Sequence, residues 1–143
     1  MPDNRPSPCV SVIIPTCRRP ELLKEAIRSV LAQTFSDFEL MIVDDDLGFS
    51  ARPVVDGFAD SRIVFLSHDG NRGAAAARNA GLAQARGRFV SFLDDDDVWH
   101  PEFLAKMVSA LERLPGKTGV LHCAVEHLGA HGERKISRPR HRG

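Results

Sequence analysis

The chain has 143 residues, of which 43% are hydrophobic and 27% are charged, the composition of one ordinary globular domain. Its 19 basic and 19 acidic side chains cancel, so the charge balance argues against general binding to nucleic acid. No apolar run approaches the roughly 18 residues of a membrane-spanning helix. We also expect no signal peptide and no structural zinc, and the three scattered cysteines favour reduced thiols in a cytoplasmic protein.

The first half of the chain alternates short apolar strands with helices. Three prolines indicate a disordered lead-in over residues 1–8. A β-branched run then predicts a buried strand, and apolar residues at helical spacing after Pro20 predict an amphipathic helix. The predicted elements, in order, are a strand at 10–14, a helix at 20–31, a strand at 38–43, a weaker helix at 51–58 and a strand at 62–66.

The second half continues the alternation. An alanine-rich helix is predicted at 74–85, a strand at 88–93, an amphipathic helix at 101–114 and a fifth strand at 120–128. The remaining residues, 129–143, are rich in basic side chains and are predicted to be a flexible tail. Strands that alternate with helices imply right-handed crossovers, so the sequence predicts an α/β fold with a mostly parallel sheet.

Acidic clusters follow two of the predicted strands, at residues 44–46 and 94–97. Ligands of open α/β sheets bind outside the carboxyl ends of the strands, so we expect both clusters to line one rim. Two unit charges about 4 Å apart repel by roughly 4 kcal/mol at an effective dielectric of 20, which calls for a compensating cation. Hard carboxylate oxygens suit Mg²⁺ or Mn²⁺. In extended backbone Asp94 and Asp96 share one side, where they could hold a cation that bridges to substrate phosphates. A solvated acidic turn before a helix is the alternative.

A third feature is the segment NRGAAAARNAG, residues 71–81, which places small residues where a helix begins. Free backbone N–H groups at such a position allow an anion or a base to approach closely. Arg78 lies one or two turns into this helix and could reach the same ligand. Tight packing of the helix on the sheet is the alternative explanation for the alanines.

Together these segments resemble the family 2 glycosyltransferases, which have the GT-A fold. The resemblance covers about residues 9–111 and is carried by SVIIPTCRRPELLKEAIRSVLAQTFSDFELMIVDDD and NRGAAAARNAGLAQARGRFVSFLDDDDVWHPEFL, the second of which includes an acidic D-x-D signature. It implies a Rossmann-like α/β/α sandwich, truncated at its C-terminus, with a partial glycosyltransferase domain over residues 9–128. The sequence departs from the family pattern at Cys17-Arg18 and at Asp46-Leu47, both beside the expected nucleotide pocket.

The resemblance also implies the site residues. Asp44 or Asp45 would contact the base, and Asp94 and Asp96 would hold Mn²⁺ or Mg²⁺, with Asp96 the preferred direct ligand. Asp97, Trp99 and Pro101 would hold the following loop. The residues expected around the nucleotide are Pro15, Thr16, Arg18, Asp44, Asp45, Asn71, Gly73, Arg78, Asp94 and Asp95.

The implied reaction moves a sugar, with inversion, from a UDP-linked donor to a hydroxyl of a saccharide, a lipid-linked or a protein acceptor, as in polysaccharide biosynthesis. The family's acceptor site and catalytic base lie further along the domain, so no base is assigned here. We expect a missing C-terminal segment or a partner chain to complete the fold. This interpretation also predicts a cytoplasmic location. Peripheral association with the inner face of the membrane is an open alternative.

Three other classes of protein share some of these sequence features. A phosphoacceptor receiver module would carry its acidic pair after the first strand rather than the second. A sugar-phosphate nucleotidyltransferase would need a glycine-rich loop where this chain has PTCRRP. A nucleotide-sugar-binding module without a catalytic base remains the main alternative.

Overall fold

The computed structural model of the protein describes residues 6–114 and 119–138. These residues form two compact units, Met1–Ala105 and Lys106–Gly143. The elements, in chain order, are β1 (Val10–Thr16), α1 (Pro20–Leu31), β2 (Phe38–Asp44), α2 (Arg52–Asp56), β3 (Ile63–Ser67), α3 (Ala74–Gln84), β4 (Phe89–Phe92), α4 (Phe103–Arg113), β5 (Val125–Leu128) and β6 (Arg134–Ser137).

The first unit is built on a four-stranded parallel sheet in the order β3-β2-β1-β4. Every residue of β1 and β2 is buried, as their nearly continuous apolar sequences predict for central parallel strands. Thr16 lies opposite Asp44 in the register, so the ends of β1 and β2 coincide. The carboxyl ends of the strands therefore form a single edge, and the fold predicted from the sequence is confirmed.

Helix α3 packs directly on the sheet. Ala77 lies in a buried cluster with Ile13, Met41 and Val43. At Gly81 a methyl group would come within 2.7 Å of the Ile13 side chain, closer than atoms can pack. The small residues of this helix thus bring its backbone close to β1, so tight packing explains at least Ala77 and Gly81.

The strands differ in detail from their predicted bounds. β1 continues through Pro15 to Thr16, whereas the sequence predicts its end at residue 14. β4 pairs with β1 only as far as Ile13, so Pro15, which has no N–H to donate, lies where β1 has β2 as its sole partner. Pro8 in the predicted lead-in is buried, and its carbonyl accepts the Arg88 N–H at 3.3 Å. Residues 1–5 of that lead-in lie outside the described residues.

In the second unit, β5 and β6 form an antiparallel hairpin of their own. The strand predicted at 120–128 is thus confined to Val125–Leu128 and is not part of the parallel sheet. The segment predicted to be a flexible tail contains β6, and its last residues, 139–143, lie outside the described part of the chain. The turn that closes the hairpin uses Gly132 at φ 84, with its N–H bonded to the Gly129 carbonyl at 3.0 Å. The domain bounds of 9–128 stay a prediction.

Among the residues that the structure describes, no helix is both long and apolar enough to span a membrane.

Candidate functional site

A pocket of about 250 Å³ opens at the carboxyl edge of the parallel sheet, within the first unit. It brings the end of β2 together with the acidic segment that follows β4, although these two strands are not neighbours in the sheet. The residues that line it are Pro15, Thr16, Cys17, Arg19, Asp45, Ala74, Ala77, Arg78, Asp94, Asp95 and Asp96.

Thr16, the last residue of β1, joins the two acidic segments. Its carbonyl accepts the backbone N–H of Asp45 at 2.9 Å. Its hydroxyl donates to Oδ2 of Asp95 at 2.7 Å. Because β1 lies between β2 and β4, one residue can reach both segments, and it fixes their separation.

Asp95 is the most deeply buried carboxylate of the pocket, with no exposed side-chain surface. Burial raises its pKa, while the Thr16 hydroxyl and the charge of Arg19 act in the opposite direction. Arg19 forms the ion pair, with its Nη2 at 2.6 Å from Asp95 Oδ1. Asp95 is therefore an internal anchor for Thr16 and Arg19 and is not exposed to solvent.

Asp45 organises the loop that leads into α3. Its carboxylate accepts the backbone N–H groups of Arg72 at 2.8 Å and Gly73 at 2.7 Å, and it lies 3.2 Å from Nδ1 of His68. Burial alone would raise the pKa of Asp45, but the two amides and His68 outweigh it and lower the pKa below its usual value. The ionised carboxylate thus ties the end of β2 to the start of the helix that carries Arg78.

Asp44 lies beside Asp45 but has a different environment. Its side chain is wholly buried and accepts the backbone N–H groups of Asp46 at 3.2 Å and Ala51 at 2.9 Å. Burial raises its pKa, with those two amides opposing the effect. The structure places Asp44 behind the pocket, where it holds the turn between β2 and α2.

Three more of the residues expected at the nucleotide do not line the pocket. Arg18 has a left-handed backbone, φ 56, and its exposed side chain pairs with Asp46 at 2.8 Å. Gly73 contributes its N–H to Asp45. Asn71 is exposed, with its side-chain amide 3.7 Å from the Cys17 sulfur. These residues shape the loops around the pocket.

The exposed acids of the segment after β4 form a cluster. Oxygens of Asp94, Asp96 and Asp97 lie within 4.8 Å of one another. Asp94 is in contact with Nη2 of Arg78, and Asp96 lies 3.1 Å from Nη1 of Arg19. The sequence assigns Asp97 to the loop, and its backbone N–H does bond to the Asp94 carbonyl at 3.1 Å, but its carboxylate belongs to the cluster as well.

This cluster fits a divalent cation. Three carboxylate oxygens are the hard donors that Mg²⁺ and Mn²⁺ prefer, and their exposure leaves room for water and phosphate ligands. The pocket lining carries four carboxylates and two guanidinium groups, which leaves a formal excess of two negative charges. One divalent cation would balance that excess.

Arg19 is a charged residue of the pocket lining that was not predicted from the sequence. Arg19 lines the pocket, whereas the family resemblance implies a role for its neighbour Arg18. The signal was the pair of arginines after β1, but the left-handed turn at Arg18, which decides which side chain faces inward, has no sequence signature. His68, whose position directly after a predicted strand places it at this edge of the sheet, follows β3 and contacts Asp45.

Residues 11–137 match the family described as Glycosyl transferase family 2. Among curated proteins, the chain is 41% identical over 102 residues to the Escherichia coli UDP-Glc:alpha-D-GlcNAc-diphosphoundecaprenol beta-1,3-glucosyltransferase WfgD, which covers 71% of this chain and 40% of that protein. It is also 41% identical over 129 residues to the Campylobacter jejuni GalNAc(5)-diNAcBac-PP-undecaprenol beta-1,3-glucosyltransferase, covering 85% of this chain and 40% of that protein.

Solved structures of similar proteins share the fold. S. aureus TarS 1–349 in complex with UDP-GlcNAc has a TM-score of 0.69 and 26% identity, over 79% of this chain and 37% of that one. The mannosyltransferase PcManGT from Pyrobaculum calidifontis, in complex with GDP-Man and Mn²⁺, has a TM-score of 0.66 and 27% identity, over 78% of this chain and 34% of that one. The chain thus spans about 40% of the length of the curated relatives named here. With a family match over most of its residues and the predicted GT-A fold in its first unit, the chain belongs to glycosyl transferase family 2.

Proposed function

We propose that the pocket binds a UDP-linked sugar and that the protein takes part in transfer of that sugar, with inversion, to an acceptor hydroxyl. The observation that carries this proposal is the single pocket in which two arginines and the acids of two separate strands meet at the carboxyl edge of a parallel sheet. A relative that is named a UDP-Glc glucosyltransferase and a neighbour bound to UDP-GlcNAc support UDP as the nucleotide.

We assign Asp45 to recognition of the uracil base of the nucleotide, because Asp45 lines the pocket and Asp44 does not. A carboxylate accepts hydrogen bonds only, so it suits an N–H of uracil. Pro15 and Thr16 would border the nucleoside. Arg18, Asn71 and Gly73 were expected to contact the nucleotide, and in this proposal they stabilise the loops around the pocket instead.

Arg78 and Arg19 are the groups that we assign to the diphosphate. Both line the pocket, and guanidinium groups bind phosphate oxygens through paired N–H donors. Negative charge builds up on the departing diphosphate during transfer, so two fixed positive charges beside it would favour the reaction.

A divalent cation would lie at Asp94 and Asp96, with Asp97 as a further ligand. When bound, it would supply Lewis-acid stabilisation of the leaving group. The Mn²⁺ in the complex of PcManGT supports this assignment.

We propose a lipid-linked acceptor, because the two curated relatives described above are named for diphosphoundecaprenol-linked or PP-undecaprenol-linked substrates. A location at the cytoplasmic face of a membrane accompanies that proposal. Saccharide and protein acceptors are the alternatives.

A donor-binding module without its own base is the second candidate function. Each carboxylate of the pocket lining already has a polar partner: amides for Asp45, and arginines for Asp94, Asp95 and Asp96. A general base must instead be free to take the proton of the acceptor hydroxyl. In this case the chain binds the donor, and transfer requires residues outside it.

Titration calorimetry with UDP, in the presence and absence of Mn²⁺, tests donor binding. We expect Mn²⁺ to tighten UDP binding and Asp96→Ala to abolish that gain. Asp56→Ala is the matched control, since this exposed acid pairs with Arg52 outside the pocket and should leave the gain intact. UDP binding that ignores both Mn²⁺ and Asp96→Ala would contradict the assignment. Release of UDP from UDP-glucose, with and without a lipid-linked acceptor, separates the enzyme from the binding module.

A further inference from the structure

We propose that Arg19 is a built-in competitor of the divalent cation: in the free protein it holds Asp96, and it releases this carboxylate when a diphosphate enters the pocket. The inference rests on the proposed function, in that the pocket is taken to receive a nucleoside diphosphate. It assigns to Arg19 a role in the coupling between diphosphate binding and cation binding.

Arg19 has one fixed contact and one exchangeable contact. Its Nη2 lies 2.6 Å from Asp95, a carboxylate with no exposed surface that is itself held by the Thr16 hydroxyl. Its Nη1 lies 3.1 Å from Asp96, whose side chain is half exposed. The contact with Asp95 places the guanidinium group at the edge of the cation cluster, and the contact with Asp96 can exchange with solvent ligands.

Asp96 is also a member of the cation cluster. A cation that binds its Oδ2 must displace Arg19 or share the oxygen with it, and two positive groups at one oxygen repel each other. Asp94 is in the same situation, because Arg78 contacts its Oδ1. Guanidinium groups thus neutralise part of the acidic cluster while the pocket is empty of phosphate.

A diphosphate changes the balance. Its oxygens carry more charge than a single carboxylate and accept paired N–H donors, so they attract Arg19 away from the half-exposed Asp96. The freed carboxylate then accepts the cation. By linkage, a nucleotide that strengthens cation binding is itself bound more tightly when the cation is present.

The size of the effect follows from the exposure of the pair. An exposed or half-exposed ion pair stabilises a structure only modestly, so removing it should tighten cation binding to the free protein by about two- to fivefold. With UDP bound the pair no longer forms, and removal of Arg19 should then give no such gain.

Binding of Mn²⁺ is measured by electron paramagnetic resonance of the unbound ion for the wild type, Arg19→Gln and Arg28→Gln. Each protein is titrated without nucleotide and with UDP, and chelation of Mn²⁺ by UDP is subtracted from a titration without protein. Arg28→Gln is the matched control, because it removes one guanidinium group from an exposed pair with Glu25 on α1, outside the pocket.

We expect Arg19→Gln to bind Mn²⁺ more tightly than the wild type without UDP and to gain less from UDP, while Arg28→Gln follows the wild type. Equal Mn²⁺ affinities of folded Arg19→Gln and wild type without UDP would overturn the inference. Since Arg19 neutralises a buried acid, thermal unfolding must show that the variant folds. If Arg19→Gln does not fold, Arg19→Lys is measured in its place, because lysine keeps the charge but lacks the planar pair of donors that spans two carboxylates. Tighter Mn²⁺ binding by Arg19→Lys supports the inference, and an unchanged affinity overturns it.

The two proposals fail separately. If UDP does not bind the wild type, the proposed function fails, while the comparison of Mn²⁺ affinities without nucleotide still decides whether Arg19 competes with the cation. If UDP binds and the Arg19 variants behave as the wild type, only the role of Arg19 is lost.

Discussion

Replacing Asp45 with asparagine should weaken nucleotide binding, whereas the same replacement at Asp44 should not. The two neighbours are equal in charge and both accept two backbone amides, yet only Asp45 lines the pocket. An asparagine side chain has one oxygen to accept with and an NH₂ group that only donates. Each substitution therefore leaves one backbone N–H without its acceptor.

The cost can be estimated from these contacts. A hydrogen bond to a charged group contributes about 1.5–3 kcal/mol, and a buried N–H left without a partner costs about 1–3 kcal/mol. Asp45→Asn should thus lower the free energy of unfolding by about 2 kcal/mol. Asp44→Asn should lower it by a similar amount, because the amide left without an acceptor there is buried, although burial already disfavours the charged form of Asp44 and raises its pKa. For UDP, the loss of a charged acceptor at the base should weaken binding by about tenfold or more.

Urea unfolding gives the free energies of unfolding of both variants, and titration calorimetry with UDP and Mn²⁺ gives their affinities under conditions in which each is folded. The adjacent position makes Asp44→Asn a control for nonspecific loosening of the loop after β2. A loss of UDP affinity of the same size in both variants, or none in Asp45→Asn, would refute the distinction between the two acids.

Two further predictions concern the framework at the amino ends of β1 and β2. Gly87→Ala should destabilise the fold by about 1–3 kcal/mol in urea unfolding, because the added methyl group would lie 2.4 Å from the Ser11 backbone nitrogen. Gly119→Ala is the control, since open space surrounds Gly119 and no such loss is expected. Equal stabilities of the two variants would contradict this prediction. Glu39 accepts hydrogen bonds from Ser11 and Arg86, which outweigh the effect of burial and lower its pKa. Its stabilising contribution is complete above the ordinary glutamate pKa of about 4.3 and is lost as the pH falls through the lower folded value. Glu39→Gln should thus be less stable than the wild type at pH 7, and the gap should narrow below about pH 4; a gap of constant size would exclude the ionised form as the cause.

Most of the fold could be predicted because the strongest signals lie in its best-buried parts. The apolar runs of β1 and β2 and the spacing of apolar residues in α1 lie close to their predicted bounds, since burial on both faces leaves few alternatives. The hairpin of β5 and β6 was not predicted as such. Both strands are exposed throughout, so no apolar periodicity marked β6, and the turn at Gly132 was the only local signal.

The segments of the chain that form the site could be predicted, but which side chains of those segments line the pocket could not. The rule that ligands gather at the carboxyl ends of parallel strands brought Thr16, Asp45 and the acids after β4 to one edge. The choice between neighbouring residues depended on backbone turns instead. Arg19 and Asp45 line the pocket while Arg18 and Asp44 do not, because loops adopt conformations that side-chain chemistry alone does not specify.

The strand order explains why Thr16 is part of the site and more than the end of a strand. The two acid-tipped strands, β2 and β4, each pair with β1 and not with each other, so their spacing is set through the last residue of β1. Any residue at this position could offer a carbonyl to Asp45, but the contact with buried Asp95 needs a side-chain hydrogen-bond donor. Threonine supplies that donor on a β-branched side chain that suits a strand. Thr16 therefore links Asp45, which we assign to the uracil base, with Asp95, which fixes Arg19, and its two hydrogen bonds set the distance between the two acids.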